Sequence, residues 1–510
     1  MRLVTRNTTR CLFAVIIWLL PIGVASASDS VSVSVEPVTS QNSPNVLARP
    51  LPTDSITSSS GPIETVIGRS TSPADAIPIV PGEELTLNEA IGIALRYHPR
   101  EKEAAADTDA AHERVGEARS DLGPQVFGVG EYLRSTDNGI GNTSYYDTND
   151  IFPRMTGINH NLSTNDFSQS WDTSNNYAGG LALSQFLFDF GRRHGFVRQR
   201  EFEAAVVAAN QRLVELDLIF NVSRQYYDVL QGQQLIRVYE KAVEQRRYHL
   251  HEAEVKANAG LRPQIDVYVM RAEVERAQLD LTDARNAHAD SKVALDNALG
   301  LSDSVPEYHL AEATTYLQIN DSLNSLIQTA MRKRPDLKAL QNQASAMGAK
   351  IDEFNSDYYP TVNAVAGYAA TGTGLPTVNN FNAGIVITWP IFNSFLTTDQ
   401  VAETKFRRRS TEEAIKDLRQ QIILQVQTAF LDWKASLQRV DFTQKALAAS
   451  SVELQLAEKR YQAGLSDIVE LEDAQRHYTD DDAAYSNAIY SFSIAKAVVD
   501  QAAARSLTNS

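Results

Sequence analysis

Side chains that could do chemistry are sparse in this chain, and their groupings point away from catalysis. His249, His251 and Glu252 are metal-ligand types, but histidines two positions apart on a helix point in different directions and do not converge on one ion. Gly128-x-Gly130 and Gly372-x-Gly374 have the spacing of a phosphate-cradling loop, without its strand-to-helix setting or its basic residue, and read as strand and loop glycines. Asp480, Asp481 and Asp482 fit a solvated helix face. The chain contains no His-Glu-x-x-His and no Gly-x-Ser-x-Gly pattern. Its single cysteine, Cys11, lies in an N-terminal segment expected to be removed, so neither a disulfide framework nor a cysteine-based metal site is expected. A formal net charge of -16 argues against a nucleic-acid partner, which would need clustered Lys and Arg. The residues thus predict no enzyme, no cofactor and no metal site.

The elements that must position any functional group are long. Apolar residues recur at every seventh position as Val426, Trp433, Val440, Leu447, Leu454 and Tyr461, and the stripe stops at Ala463-Gly464-Leu465. An earlier stretch repeats it as Val222, Val229, Ile236, Val243, Leu250 and Ala257, stopping at Ala259-Gly260-Leu261. A sustained seven-residue period predicts packed helices with a left-handed supercoil, and each glycine predicts a turn. A second block is also duplicated: Leu87, Ile91, Pro99, Ser120, Pro124 and Tyr132 recur as Leu323, Ile327, Pro335, Ser356, Pro360 and Tyr368. The two blocks are related by different offsets, so the first copy carries an insertion between Tyr132 and Tyr177. The chain reads as one unit written twice, 85–300 and 322–505, with a linker at 301–321 and a short tail at 506–510.

Arg2, Arg6 and Arg10, the apolar run Cys11–Leu20 and the small residues Ala25-Ser26-Ala27 have the three regions of a secretory signal peptide, predicted as 1–27. Residues 28–84, rich in Ser, Thr, Pro and Val, predict a low-complexity, disordered segment. No later stretch has the ~18 apolar residues of a membrane helix, so a membrane-spanning form would have to be a β-barrel.

Period-two alternation marks four strands, Gln125–Leu133, Tyr177–Leu187, Thr361–Tyr368 and Phe381–Trp389, with Pro124 and Pro360 at two of their starts. Phe381, Ala383, Ile385, Ile387 and Trp389 share one face. This pattern is compatible with a lipid-facing strand and with a soluble two-layer sheet. The helical patterns Asp189–Ala257 and Asn393–Tyr461 each run roughly 70 residues, ~100 Å at ~1.5 Å per residue, too long for a compact core to bury. Arg262–Leu299 and Ser466–Ala503 return at about half that length, and Leu85–Arg119 and Ser322–Phe354 are sized to fill the remainder. Four strands cannot close a water-filled barrel, and lipid does not tolerate an open sheet edge, so a membrane role requires several chains.

With these residues in place the chain resembles the TolC-like outer-membrane efflux proteins of Gram-negative bacteria, from Leu85 to Ala503. The resemblance rests on the two-fold repeat, the strand starts at Pro124 and Pro360, the corner Phe186-Leu187-Phe188-Asp189-Phe190-Gly191-Arg192, and the turn Tyr461-Gln462-Ala463-Gly464. The second corner, Trp389-Pro390-Ile391-Phe392-Asn393, departs by an Asn for the Asp and lacks the Gly-Arg. The resemblance implies an α+β membrane protein: a homotrimeric twelve-stranded β-barrel in outer-membrane lipid, four strands per chain, continued by an α-helical coiled-coil barrel through the periplasm. It implies a passive exit duct for small molecules or secreted proteins, docked through a periplasmic adaptor (membrane fusion) protein onto an inner-membrane transporter of the RND or ABC type. The Asn/Ser-rich segment between Tyr132 and Tyr177 would be the larger extracellular loop and Thr371–Val378 the smaller.

By position after the turn glycines, the resemblance places Glu470 and Asp473 in an acidic ring at the periplasmic entrance. Three copies of each carboxylate around a narrow opening would attract cations. It places Tyr461 and Asp266 in the contacts that hold neighbouring hairpins shut, with the tip turns at Gly260, Leu261, Gly464 and Leu465. Ser466 stands where some members have a salt-bridging arginine, so Arg262 or Arg460 would have to substitute. Two other readings compete with the duct: a secreted coiled-coil scaffold without channel activity, and an exported hydrolase, which lacks a catalytic constellation.

Overall fold

The computed structural model describes residues 84–136, 173–301, 307–312, 319, 321–372 and 377–505. The chain divides into two units, Met1–Ala74 and Asp75–Ser510, and all described residues belong to the second. The expected signal peptide, residues 28–83, most of the larger and half of the smaller expected extracellular loop, and the tail 506–510 lie outside the described residues.

The first copy runs β1 (Glu84–Leu85), α1 (Leu87–Tyr97), α2 (Pro99–Ser120), β2 (Gln125–Thr136), β3 (Thr173–Phe188), α3 (Arg192–Asn258) and α4 (Gln264–Ala298). After β4 (His309–Leu310), the second copy follows as α5 (Leu323–Lys333), α6 (Pro335–Ser356), β5 (Thr361–Gly372), β6 (Val378–Thr388), α7 (Leu396–Gln462) and α8 (Ile468–Ala502). Both long helices have 67 residues and both return helices 35. Proline at the first helical position starts α2 and α6, where a missing N–H costs nothing. The strands are longer than alternation predicts, because their outer ends carry Asn, Ser and Thr and lose the apolar alternation.

The four-stranded sheet has the order β2-β3-β5-β6, antiparallel throughout. Gly128 opposite Leu181 in the first hairpin corresponds in the repeat to Ala364 opposite Ile385 in the second, so both hairpins share one register. One face presents exposed Val126, Tyr132, Leu181, Tyr368, Phe381, Ile385 and Ile387. The opposite face is lined by small and polar residues such as Gly180, Ala182, Ala369 and Asn382. Among the described residues no further strand pairs with the outer edge of β2 or of β6.

The helical part repeats that logic. α3 packs on α2 and α4 of its own copy and on α6 and α8 of the other. α7 packs on α5, α6 and α8, all of its own copy. Its remaining flank exposes Leu424, Leu431, Phe442, Val452 and Leu456. The heptad stripes are buried at their ends, Val222, Val229, Val426, Trp433, Leu454 and Tyr461 among them, and half-buried in the middle at Ile236, Val440 and Leu447.

Two features were not legible in the pattern. β1 and β4 pair in parallel, Glu84 with His309 and Leu85 with Leu310, so described structure begins one residue inside the segment expected to be disordered, and the expected linker contains a strand. A two-residue strand has no periodicity to detect. Tyr226 holds the pair down, its hydroxyl within 3.0 Å of the Leu85 carbonyl and 2.7 Å of that of Ala311, and burial pushes the phenol pKa far up. The two strand-to-helix corners also differ. In the first, Gly191 takes a φ of 96°, and the Asp189 carboxylate accepts from the N–H groups of Gly191 at 3.1 Å and Arg193 at 3.0 Å. In the second, Phe395 occupies the glycine's place at a φ of 68°, a left-handed conformation costing a non-glycine residue roughly 1–2 kcal/mol. There Asn393 donates to the Thr397 hydroxyl instead of capping the helix.

Candidate functional site

The two hairpins converge at their turns. Each turn has its glycine in the left-handed region, Gly260 at φ 70° and Gly464 at φ 73°. In each, the following leucine N–H reaches back one turn, Leu261 to the Lys256 carbonyl and Leu465 to the Arg460 carbonyl, both at 2.9 Å. Glycine is needed because only it takes this conformation without strain while the last carbonyls are satisfied. Leu261 and Leu465 remain 75% and 74% exposed, so each turn presents an apolar tip to its surroundings.

Above the turns, one apolar cluster is shared by all four helices: Ala253 and Ala257 of α3, Val267 and Met270 of α4, Leu454, Ala457 and Tyr461 of α7, Ile468 and Leu471 of α8. Tyr461, the last residue of the stripe, is buried at its centre. Arg262 lies over its ring at 4.7 Å and Lys256 at 5.0 Å.

The structure puts Asp266 and Tyr461 together, both buried, with Asp266 the negative charge that acts most strongly on the phenol. Burial, then Asp266, push the phenol pKa up, so it stays a neutral O–H. That hydroxyl has no hydrogen-bond partner among the described residues, so Tyr461 and Asp266 pack together without a hydroxyl-to-carboxylate bond. The tie between the two turns runs through Arg262 instead. Its guanidinium donates to the backbone carbonyls of Tyr461 at 3.3 Å and Ser466 at 3.0 Å, crossing from one hairpin to the other. Arg460, the other candidate, turns to its own hairpin and pairs with Glu470 at 2.9 Å.

Glu470 and Asp473 both lie exposed in the first turns of α8. Each carries an intrachain cation, Arg460 for Glu470 and Arg476 for Asp473 at 3.4 Å, which lowers the field an isolated ring would have. Asp467 caps α8 by accepting from the Glu470 N–H at 3.0 Å. His249 is buried, 3.7 Å from both Glu252 and Glu458, whereas His251 is exposed; the burial keeps the His249 imidazole pKa below its ordinary value despite the two carboxylates.

Pattern reading missed Glu472. It follows Leu471 in the buried stripe Ile468, Leu471, Glu472, Gln475, Thr479, and its signal was a charge four residues after Ile468, where helical spacing demands an apolar group.

At the other end of the long helices the corners are aromatic. Phe190 stacks on Tyr359 with ring centres 4.8 Å apart, and Phe188 meets Phe190 edge-on at 4.7 Å. Trp389 donates its indole N–H to the Tyr358 carbonyl at 3.1 Å while its ring stays exposed. Among the described residues no helix is long and apolar enough to cross a membrane.

The profile of the family described as outer membrane efflux protein matches residues 90–301 and 326–505. Outer membrane protein TolC of Salmonella enteritidis is 23% identical over 447 residues, covering 82% of this chain and 84% of that protein. Protein CyaE of Bordetella pertussis is 23% identical over 410 residues, 79% of each. Among solved structures, the outer-membrane channel OprN superposes with a TM-score of 0.69 at 16% identity, over 82% of this chain and 90% of that one. VceC of Vibrio cholerae gives 0.66 at 16% identity, over 82% and 95%. The matched segments are the two copies described above, so the chain belongs to the outer membrane efflux protein family and is an exit channel of the outer membrane.

Proposed function

We propose that three copies of this chain form a closed duct, a twelve-stranded barrel in the outer membrane continued by a helical tunnel, through which cargo leaves passively. The observation that carries it is the broken symmetry of the two copies. Inside the chain, β3 pairs with β5, and α3 packs on α6 and α8. For the equivalent flanks of the second copy, the β6 edge and the exposed stripe of α7, no strand or helix among the described residues makes the corresponding contacts. The same contacts made to β2, α2 and α4 of the next copy cover both, and a head-to-tail contact that closes on itself is a ring. Closure also removes the unpaired strand edges that lipid does not tolerate. The apolar sheet face then meets lipid, and the aromatic corners sit at the level of the headgroups.

The hairpin ends form the entrance on the periplasmic side. Arg262 ties the two hairpins of each chain, Asp266 and Tyr461 pack the seam, and Glu470 and Asp473 line the opening. The exposed Leu261 and Leu465 tips are the docking points for a periplasmic adaptor that joins the duct to an inner-membrane transporter of the RND or ABC type. The duct carries small toxic molecules or secreted proteins.

Replacing Glu470 and Asp473 by alanine is expected to reduce cation selectivity by about ten-fold in the cation-to-anion permeability ratio, the effect of losing ~1.4 kcal/mol of attraction. Reversal potentials in a salt gradient across a planar bilayer measure it. An unchanged ratio removes both residues from the opening.

A further inference from the structure

Glu472 of α8 is 4% exposed and sits between the two hairpins, facing Glu273 of α4 and Arg246 of α3, themselves 7% and 5% exposed. Neither carboxylate oxygen of Glu472 has a hydrogen-bond partner among the described residues. Neither do the Nε2 and Oε1 atoms of the fully buried Gln475, one turn further along α8, nor the Nε atom of Arg246. Buried polar groups are almost always paired, so so many orphans in one layer of a helical seam call for a physical reason.

The charges around Glu472 do not balance it. Glu273 has its own counter-ion, an ion pair with Arg276. Arg246 forms no ion pair among the described residues; its charge favours the ionised form of Glu472 but is outweighed by burial and Glu273. From α8 itself, Asp473 opposes ionisation of Glu472 and Arg476 favours it, and from α7 the facing group is the neutral phenol of Tyr461. Burying a carboxylate without a hydrogen-bonded partner is strongly unfavourable, whereas the neutral acid fits the same place at far lower cost. Burial, with Glu273 next, accordingly pushes the Glu472 carboxyl up to about 7 from an ordinary value of 4.5.

We propose that Glu472 is a proton-controlled latch of the entrance: as the neutral acid it lets the α7–α8 hairpin pack against α3–α4, and its ionisation drives the hairpins apart. The latch rests on reading the hairpin ends as the entrance. Its direction follows from linkage. The packed state holds the proton more tightly than a state in which Glu472 reaches water, so closure is favoured in full below the ordinary carboxyl value. That advantage is lost as pH rises through about 7. Within this window each pH unit shifts the closed-to-open ratio by at most about ten-fold per chain.

The test is the open fraction of single channels of the full-length protein in planar bilayers, scanned from about pH 5 to about pH 8. The parent is expected to open more as pH rises through neutrality. Glu472→Gln and Glu472→Leu, both neutral, are expected to stay closed across the range, and two different side chains separate loss of charge from misfolding. A transition that persists in both Glu472 variants overturns the latch. So does a parent without pH dependence in which Arg262→Ala still opens the channel, and there the entrance reading stands. If Arg262→Ala also leaves the conductance unchanged, it is the entrance reading that has failed.

Discussion

Replacing Arg262 by alanine is expected to raise the conductance of the duct more than any other single change at the hairpin ends. Two charge-assisted hydrogen bonds to the carbonyls of Tyr461 and Ser466 would go, together with the stacking of the guanidinium on the Tyr461 ring. For a half-buried pair of this kind the loss is about 2 kcal/mol per chain, or roughly thirty-fold in the ratio of closed to open hairpins. The effect belongs to the guanidinium: Tyr461→Phe is expected to change little on its own, because the hydroxyl it removes has no partner among the described residues. Removing both Tyr461 and Asp266 functions together tests the seam, and a double variant more open than Arg262→Ala would move the lock back to that pair. Single-channel recording distinguishes these outcomes directly. A conductance equal to the parent in Arg262→Ala would sink the tie.

The second large effect is expected far from the entrance. Gly180 lies in β3 opposite Ala369 of β5, and a methyl group added there would run into the Tyr368 carbonyl and the Ala369 Cα and Cβ atoms. These contacts are largely backbone, so no side chain can swing away. Strands β3 and β5 join the two copies in the sheet, and pushing them apart breaks the ladder at its centre. Gly180→Ala is expected to cost about 3 kcal/mol, the upper end of ordinary overpacking, and to abolish heat-resistant oligomers in the outer-membrane fraction. Gly130→Ala is the control, since nothing lies within 4 Å of a Cβ there. Equal oligomer yields from the two variants would contradict the sheet register.

Much of this architecture was readable because long-period signals are robust. The stripes ending at Ala257 and Tyr461 located both helices to within a few residues, since a seven-residue period over many turns leaves no other reading. The face carrying Phe381, Ile385 and Ile387 was visible for the analogous reason at period two. Short or strained features were not. The β1–β4 pair offers too few residues for a pattern, and Phe395 in a left-handed conformation contradicts its own propensity. At the hairpin ends, the resemblance singled out Asp266 after Gly260 and Tyr461 before Gly464 but could not say which atoms bond. Which of Arg262 and Arg460 crosses between hairpins depends on side-chain reach in three dimensions. Glu472 was overlooked because acids on helices are usually solvated, and its cost becomes visible only with the partner helices in place.

The central claim is that identical chains close on one another through the β6 and β2 edges. In the repeat, Leu181 of β3 corresponds to Ile385, and Tyr368 of β5 to Tyr132; Leu181 and Tyr368 face each other directly. Ile385 of one copy should therefore face Tyr132 of the next. Opposed strand positions bring Cβ atoms to ~4.5–5.5 Å, close to disulfide reach, and within one chain these two residues lie on opposite edges of the sheet. The decisive measurement is non-reducing electrophoresis of outer membranes from cells producing the Tyr132→Cys, Ile385→Cys double variant. The ring predicts a covalent trimer that collapses to monomer on reduction, with each single variant remaining monomeric. A double variant that stays monomeric under oxidation, or a ladder running past the trimer without end, would contradict it.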